Sequence, residues 1–131
     1  MIVKTLSIAS TGLAAMMFAA QAFAAASDYE FQAISSEVKA SNSAELAVRL
    51  VHKPTQKAVP GAVLFRTRLD MSPDNMADMA TSIAPDGSSE PGVYRFKADL
   101  SMAGRWALKV MAKVPGESET VQGTVIVKAK D

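Results

Sequence analysis

Apolar and polar residues alternate most regularly in residues 92–111, where two runs of period two flank a tight corner. In the first run charged residues separate the apolar positions Tyr94, Phe96, Ala98 and Leu100. Such alternation is typical of a strand with one buried and one solvated face. The second run begins at Trp106, the only tryptophan of the chain. We therefore predict two strands whose apolar faces meet in the core, with Trp106 beside the aromatic residues of the first strand.

Similar alternation predicts strands on both sides of this pair. They cover residues 27–39, 44–53, 62–71, 81–84 and 120–128. About seven short strands, with turn signals every ~8–12 residues, predict an all-β, immunoglobulin-like antiparallel sandwich. The strands of a cupredoxin-like sandwich show the same alternation of apolar and polar residues, so the cupredoxin-like strand order is the alternative.

Within residues 62–71, the period of two also predicts which side chains share a face. The face directed to the core should carry Val63, Phe65, Thr67 and Leu69. The opposite face should carry Arg66, Arg68 and Asp70. One interpretation of the polar faces is a cationic patch for a partner, formed by Arg66, Arg68, Arg95 and Lys97. The interpretation that we favour is that these cations pair across strands with Asp99 and Glu45.

Residues 1–24 have the pattern of a secretory signal peptide. Lys4 precedes the apolar run Leu6–Ala20, and small residues follow at the positions where cleavage occurs. A membrane anchor is the alternative, but this run is rich in alanine and falls short of the ~20 strongly apolar residues that a spanning helix needs. We predict cleavage after Ala24, a periplasmic location without a stable membrane anchor, and one sandwich domain over residues 27–131.

Composition excludes several classes of function. The chain has 14 Lys and Arg against 13 Asp and Glu, so it lacks the basic excess of a nucleic-acid-binding protein. It has no cysteine, so it cannot act as a cysteine enzyme. With one histidine, a zinc hydrolase site or a serine–histidine–aspartate triad is hard to assemble. No glycine-rich phosphate loop and no motif of a hydrolase or metalloprotease occurs. We therefore predict that the chain is not an enzyme.

Three methionines, Met71, Met76 and Met79, lie within nine residues in the least regular part of the chain. Thioethers are soft ligands that suit Cu(I) or Ag(I). Ser72 is a candidate cap and Pro73 a candidate first residue for a helical turn, which would place Met76 and Met79 on one face. Met71 would then complete a three-sulfur site. The alternative is that these residues fill one end of the core.

Met102 and His52 are the less favoured ligands of the same site. Met102 lies in the corner between the two strands of residues 92–111, which would bring it to the same end of the sandwich. His52 is the only imidazole, at the end of a predicted strand, and imidazole suits copper. The neighbouring acidic residues Asp70, Asp74 and Asp78 do not follow a calcium-loop pattern, so we expect a solvated acidic loop there.

Three segments resemble the YtkA-like/FixH-like periplasmic domains. They are Val59–Val63, Glu90–Tyr94 and Leu100–Trp106, which together give a Val-Pro-Gly-Ala-Val strand start, a Pro-Gly-x-Tyr strand and a Gly-x-Trp strand start. The resemblance implies a small immunoglobulin-like sandwich that is exported or membrane-attached. It also implies an accessory role in copper handling or in heavy-metal efflux of the resistance-nodulation-division (RND) kind.

Three functions are consistent with these observations. The first is a periplasmic accessory domain that binds Cu(I) or Ag(I) weakly and serves an envelope partner such as an RND-type efflux component. The second is a metal-free interaction module that docks on an envelope transporter or membrane-fusion protein. The third, and weakest, is a binder of apolar small molecules at the methionine-lined end.

The signal-peptide prediction can be checked directly. When the full chain is produced in a bacterial host, we expect the protein to be recovered from the periplasm with Ala25 as its first residue. N-terminal sequencing and intact mass of the periplasmic fraction measure this. Uncleaved protein in the membrane fraction would contradict the prediction and favour the anchor.

Overall fold

The computed structural model describes residues 26–87 and 90–131, so the predicted signal peptide lies outside the described residues. The described chain forms ten strands and two single 3-10 turns. The strands are β1 (Tyr29–Ala33), β2 (Glu37–Lys39), β3 (Ser41–His52), β4 (Lys57–Ala58), β5 (Val63–Met71), β6 (Met76–Thr81), β7 (Ile83–Pro85), β8 (Val93–Leu100), β9 (Gly104–Lys113) and β10 (Val121–Lys130). The 3-10 turns are Ala26–Asp28 and Ser72–Asp74.

The strands form two sheets that pack face to face. The first sheet has the order β1-β3-β8-β7, with the short β4 also paired to β3. The second has the order β2-β10-β9-β5-β6. The pairs are antiparallel except for β2, which runs parallel to β10. The all-β sandwich prediction is thus confirmed, with one parallel pair that the alternation of residues did not indicate.

The core lies between the two sheets, where the alternating apolar positions of both meet. From the first sheet it takes Leu46, Val48, Leu50, Phe96 and Leu100. From the second it takes Leu69, Trp106, Leu108, Val110, Val125 and Val127. Full burial of a large apolar side chain contributes roughly 1.5–3 kcal/mol, so these positions account for most of the driving force. Within the described ranges, no helix has the length and apolarity needed to cross a bilayer.

The corner between β8 and β9 carries the chain from one sheet to the other. Trp106 is buried directly after it, and its indole Nε1 donates a hydrogen bond of 3.1 Å to the carbonyl oxygen of Met102. Gly104 has φ +143°, and a Cβ at this position would overlap the terminal methyl of Met71. The corner therefore requires glycine both for its backbone conformation and for the space that the Met71 side chain occupies.

The segment after β5 differs from the expected helical turn. Only Ser72–Asp74 is helical, and its cap is Met71 with no side-chain hydrogen bond, so Ser72 is not the cap. Asn75 then adopts φ +61°, which Asn tolerates better than most residues, and the chain continues as strand β6. The reversal at Asn75 thus converts a predicted helix into the last strand of the second sheet.

Strand β5 contains an irregularity that corrects the predicted faces. Its register against β9 shifts between Leu64 and Arg66, which places Phe65 outside the regular ladder. Leu64 and Leu69 consequently share the inner face, whereas Val63 and Phe65 are 62% and 50% exposed. The prediction that Val63 and Phe65 face the core with Leu69 is wrong because one extra residue reverses the alternation.

Replacing Gly104 should test how much the fold depends on this corner. We expect Gly104→Ala to lower the free energy of unfolding by about 3 kcal/mol, because it combines backbone strain with overlap against Met71. Gly116→Ala is the matched control, since Gly116 also has positive φ (+85°) but nothing lies within 4 Å of its added Cβ. That variant should lose only about 1 kcal/mol. Equal losses in urea denaturation would show that the contact with Met71 has no importance.

Candidate functional site

The structure divides the methionines of the predicted metal site into two groups. Met71 is 1% exposed and belongs to the core, so its sulfur is not presented to solvent. Met76, Met79 and Met102 are 40%, 41% and 46% exposed. The predicted set Met71, Met76 and Met79 therefore does not converge at the surface, and the core-filling alternative describes Met71.

Met76 and Met79 lie on strand β6 and not on a helical turn. The ladder with β5 pairs Met76 with Met71 and then Ala80 with Asp70, so residues 77–79 bulge outside it. The predicted common helical face of Met76 and Met79 is wrong, because an extended chain does not bring positions i and i+3 together as a helix does. Both side chains are nevertheless accessible on an exposed strand.

Strand β6 and the preceding turn pack against the β8–β9 corner. Thr81 donates a side-chain hydrogen bond of 2.7 Å to the carbonyl oxygen of Asp99. On the other side, the Arg105 backbone amide donates a hydrogen bond of 2.8 Å to Asp74. Met102 lies between these two contacts in the chain. The exposed thioethers of β6 and of the corner therefore occur at the same end of the sandwich, as expected for Met102.

His52 lies at the opposite end. Ser41, the first residue of β3, pairs with Leu100 beside the corner, whereas His52 is the last residue of the same strand. At ~3.3 Å per residue, this strand separates the two ends by roughly 35 Å. His52 instead contacts Thr55 through Nδ1 at 2.8 Å and packs against the Tyr29 ring, with centroids 5.2 Å apart. It is not placed to join the methionines as a ligand.

Carboxylates do not form a metal site in residues 26–87 and 90–131, where no three His, Asp or Glu side chains are grouped to hold an ion. The predicted solvated acidic loop also needs correction. Asp70 is 0% exposed, and Asp74 is engaged by Arg105. Asp78 is exposed on β6, as expected.

Asp70 is the centre of a charged cluster on the outer side of the second sheet. Its Oδ2 accepts hydrogen bonds from Arg68 Nε at 2.9 Å and from Lys109 Nζ at 3.0 Å. Its Oδ1 accepts the backbone N–H of Ser72 at 3.0 Å. Arg68 also donates through Nη2 to the carbonyl oxygen of Ala77 at 3.0 Å, which attaches the bulge of β6 to β5. The cluster thus joins β5, β9 and β6.

The environment of Asp70 has opposing effects on the pKa of its carboxyl group. Burial raises this pKa, but hydrogen bonds from Ser72, Lys109 and Arg68 outweigh it and hold the pKa well below its usual range. The carboxyl group of Asp70 is therefore ionised at neutral pH. Such a buried carboxylate persists only because two cations and an amide satisfy it.

Asp74 forms the second bridge of this region. Its Oδ1 accepts a hydrogen bond of 2.8 Å from Arg105 Nε, and its Oδ2 accepts the Arg105 amide. These bonds, the backbone one foremost, lower the pKa of Asp74. Arg105 also donates to the carbonyl oxygen of Pro73 at 2.8 Å. The 3-10 turn Ser72–Asp74 is therefore held directly against the start of β9.

The cationic residues that the sequence grouped together lie in different sheets. Arg66 and Arg68 are on β5 of the second sheet, whereas Arg95 and Lys97 are on β8 of the first. The predicted four-residue patch therefore does not form. Glu45 lies opposite Lys97 in the β3–β8 ladder, but no ion pair of the described residues joins them. Asp99 instead accepts hydrogen bonds from the amide and the hydroxyl of Ser101.

Tyr94 connects two of the segments that carry the family resemblance. Its hydroxyl donates a hydrogen bond of 2.8 Å to the carbonyl oxygen of Val59 and accepts the Ala62 amide at 3.0 Å. Gly92, two residues earlier, approaches Ala58 so closely that an added Cβ would lie 2.6 Å from the Ala58 Cβ. The Pro-Gly-x-Tyr and Val-Pro-Gly-Ala patterns thus occur together because one tyrosine and one glycine hold the turn before β5.

Comparison with family models matches residues 23–111 to the YtkA-like family. The chain belongs to the YtkA-like family. The matched range extends through β8 and nearly all of β9, and therefore includes every segment on which the resemblance rests. Strand β10 lies beyond the matched range but completes the second sheet of this YtkA-like domain. A search of curated proteins found no match.

The Asp70 cluster was missed by reasoning from the sequence, although one local signal was present. An aspartate two residues before a Ser-Pro pair is placed to accept the serine amide, which is the bond observed here. The contribution of Lys109 could not be found in this way, because it depends on the register between β5 and β9.

Removing the charge of Asp70 should destabilise the domain at neutral pH. We expect Asp70→Asn to lower the free energy of unfolding by about 2 kcal/mol, less than for a fully buried pair because Arg68 and Lys109 are 53% and 45% exposed. Asp78→Asn, an exposed change of equal charge, should be nearly neutral. Urea denaturation at neutral pH measures both.

The same variant has a defined pH dependence. Because the pKa of Asp70 is lowered in the folded chain, its stabilisation is present above the unfolded value of about 3.9 and is lost as pH falls through the folded value. The wild type should therefore lose more stability than Asp70→Asn between neutral and acidic pH. Parallel stability curves for the two proteins would contradict this account of the cluster.

Proposed function

We propose that this YtkA-like domain is an exported, non-catalytic accessory domain of a copper- or silver-handling system. The observation that carries the proposal is the exposure of Met76, Met79 and Met102 at one end of the sandwich. Three accessible thioethers offer the soft donor set that Cu(I) and Ag(I) prefer. A chain without cysteine has no thiolate to offer these ions, so the thioethers are its softest donors.

The ligand set differs from the one that the sequence suggested. Met71 acts as a core residue that positions the corner, and Met102 takes its place among the exposed sulfurs. The accessible thioethers lie on an exposed strand and a corner, so binding is expected to be weak and easily reversed. Reversible binding suits a domain that passes metal to a partner in the envelope, such as an RND-type efflux component.

A metal-free docking module is the second candidate, and strand β6 favours it. Among the described residues β6 is the last strand of its sheet, and all its residues except Thr81 are exposed. The exposed edge of a sheet offers unpaired backbone groups to an added strand of a partner protein. In this function Met76 and Met79 would provide apolar contact instead of metal ligands.

Titration with Cu(I) tests the metal proposal. We expect binding to the purified chain under anaerobic conditions, with affinity reduced about tenfold or more when Met76→Leu and Met79→Leu are combined, because leucine retains the volume but removes the sulfur. Met111→Leu is the matched control, since Met111 is half-buried on β9 and lies outside both β6 and the β8–β9 corner.

Two results would contradict metal binding. One is the absence of Cu(I) binding at about micromolar concentration, and the other is unchanged affinity in the double variant. The growth on copper or silver of a strain that lacks the gene for this protein then distinguishes metal binding from the metal-free docking module. If the double variant restores tolerance as well as the wild type does, the docking module is favoured.

A further inference from the structure

The outer side of the second sheet carries a depression of about 400 Å³ that the methionine site does not involve. Strands β5, β9 and β10 form its base, and their register places side chains in two adjacent rows. One row consists of Arg68, Lys109 and Thr124. The next consists of Arg66, Met111 and Gln122. Each row therefore crosses three strands and ends in an uncharged polar side chain.

The depression is positively charged although the whole chain is nearly neutral. Arg66, Arg68 and Lys109 line it, and among the residues that the structure describes Asp70 is the one carboxylate in contact with any of them. Three cations against one carboxylate leave a local charge of about +2, whereas the full sequence has a formal net charge of +1. This face therefore attracts an anionic partner.

Two of the cations are held in place before any ligand arrives. Arg68 and Lys109 both contact Oδ2 of Asp70, yet they keep 53% and 45% of their side-chain surface exposed. An arginine has five N–H donors and a lysine three, so both retain donors beyond those that bind Asp70 and Ala77. Side chains that are already ordered lose less conformational entropy when they bind.

Arg66 is the third cation and is differently placed. Within the described residues its guanidinium makes no hydrogen bond or ion pair, and the side chain is exposed. It stands two positions from Arg68 on the same strand, on the side of the depression nearer Gln122. An arginine presents a planar fork that matches a carboxylate in bidentate geometry.

We propose that this depression binds an acidic, extended segment of a partner protein. Side chains at alternate positions of an extended peptide lie about 6.6 Å apart, which is also the spacing of Arg66 and Arg68 on β5. Two carboxylates of such a segment can therefore meet both guanidinium groups at once. Thr124 and Gln122 supply hydrogen-bonding groups at the far side of the depression. The open shape favours an extended segment, because a small ion would stay largely hydrated there.

Nuclear magnetic resonance titration of the purified chain tests this proposal. The probe is an alternating Glu-Thr peptide of about eight residues, long enough to cross both rows. We expect shifts confined to backbone amides of β5, β9 and β10 around the depression, which weaken as salt is added. The corresponding Gln-Thr peptide should cause none of these shifts.

Variants identify the residues that are responsible. Arg66→Gln should weaken binding about three- to fivefold without affecting the fold, because Arg66 is exposed and does not contact Asp70. Arg49→Gln is the matched control, since it removes the same charge from an exposed position on β3 in the first sheet. It should leave the affinity unchanged.

Several outcomes would overturn the proposal. Shifts spread over both sheets, or equal weakening by Arg66→Gln and Arg49→Gln, would show only general charge attraction. Equal binding of inorganic phosphate at the same concentration would point to a small-anion site instead. Stronger binding to vesicles of phosphatidylglycerol and phosphatidylcholine than to the peptide would point to a membrane surface. None of these results bears on Cu(I) binding by the exposed methionines.

Discussion

The contact between Met71 and Gly104 is the constraint on which this end of the domain depends. Met71 fills the space that a side chain at residue 104 would need, at the point where the chain passes between the sheets. Strand β5 ends at the buried Met71, and the 3-10 turn that follows lies close enough for Asp74 to bind Arg105. The exposed strand β6 begins from that anchored turn. A buried thioether and two exposed ones are thus only a short turn apart in the chain.

The Asp70 cluster complements this apolar contact from the outer side of the sheet. Asp70 directly precedes Met71, so neighbouring residues face opposite sides of the same strand end. Met71 packs into the core, and Asp70 binds cations from β5 and β9 together with the amide of Ser72. The carboxylate also organises Arg68 and Lys109 for further contacts. Structural stabilisation and the proposed recognition of acidic segments therefore share one group.

The alternation of residues predicted most strands and the class of fold, because burial between two sheets imposes a period of two. It predicted the inner faces of β8 and β9 correctly, including the buried Trp106. It was wrong for Val63 and Phe65, since a single irregularity in β5 reverses the faces and leaves no mark in the pattern. The pattern Ser-Pro-Asp predicts a helical turn around β6, whereas Asn75 in the left-handed region ends the turn after Asp74 and the chain continues as a strand.

The sequence predicted that methionines form the candidate site, but it did not predict which three methionines are exposed. The sequence placed thioethers near one another, and the structure places Met76, Met79 and Met102 at one end while it buries Met71. Burial of a particular methionine depends on the partner strand, which the local sequence does not specify. The length of β3 excludes His52 from the metal site, because it lies at the far end of that strand. The cations of β5 and β8 do not form one patch, because the two strands belong to different sheets. Each correction required long-range pairing.

The parallel pairing of β2 with β10 has a consequence for how the domain is completed. Glu37 and Lys39 lie opposite Lys128 and Lys130, and the Ala40 amide also bonds to the Lys130 carbonyl oxygen. During synthesis from the N terminus, β2 therefore cannot pair until residues 128–130 have been made. Because contacts between distant residues form slowly, this seam should be among the last to close as the nascent chain folds.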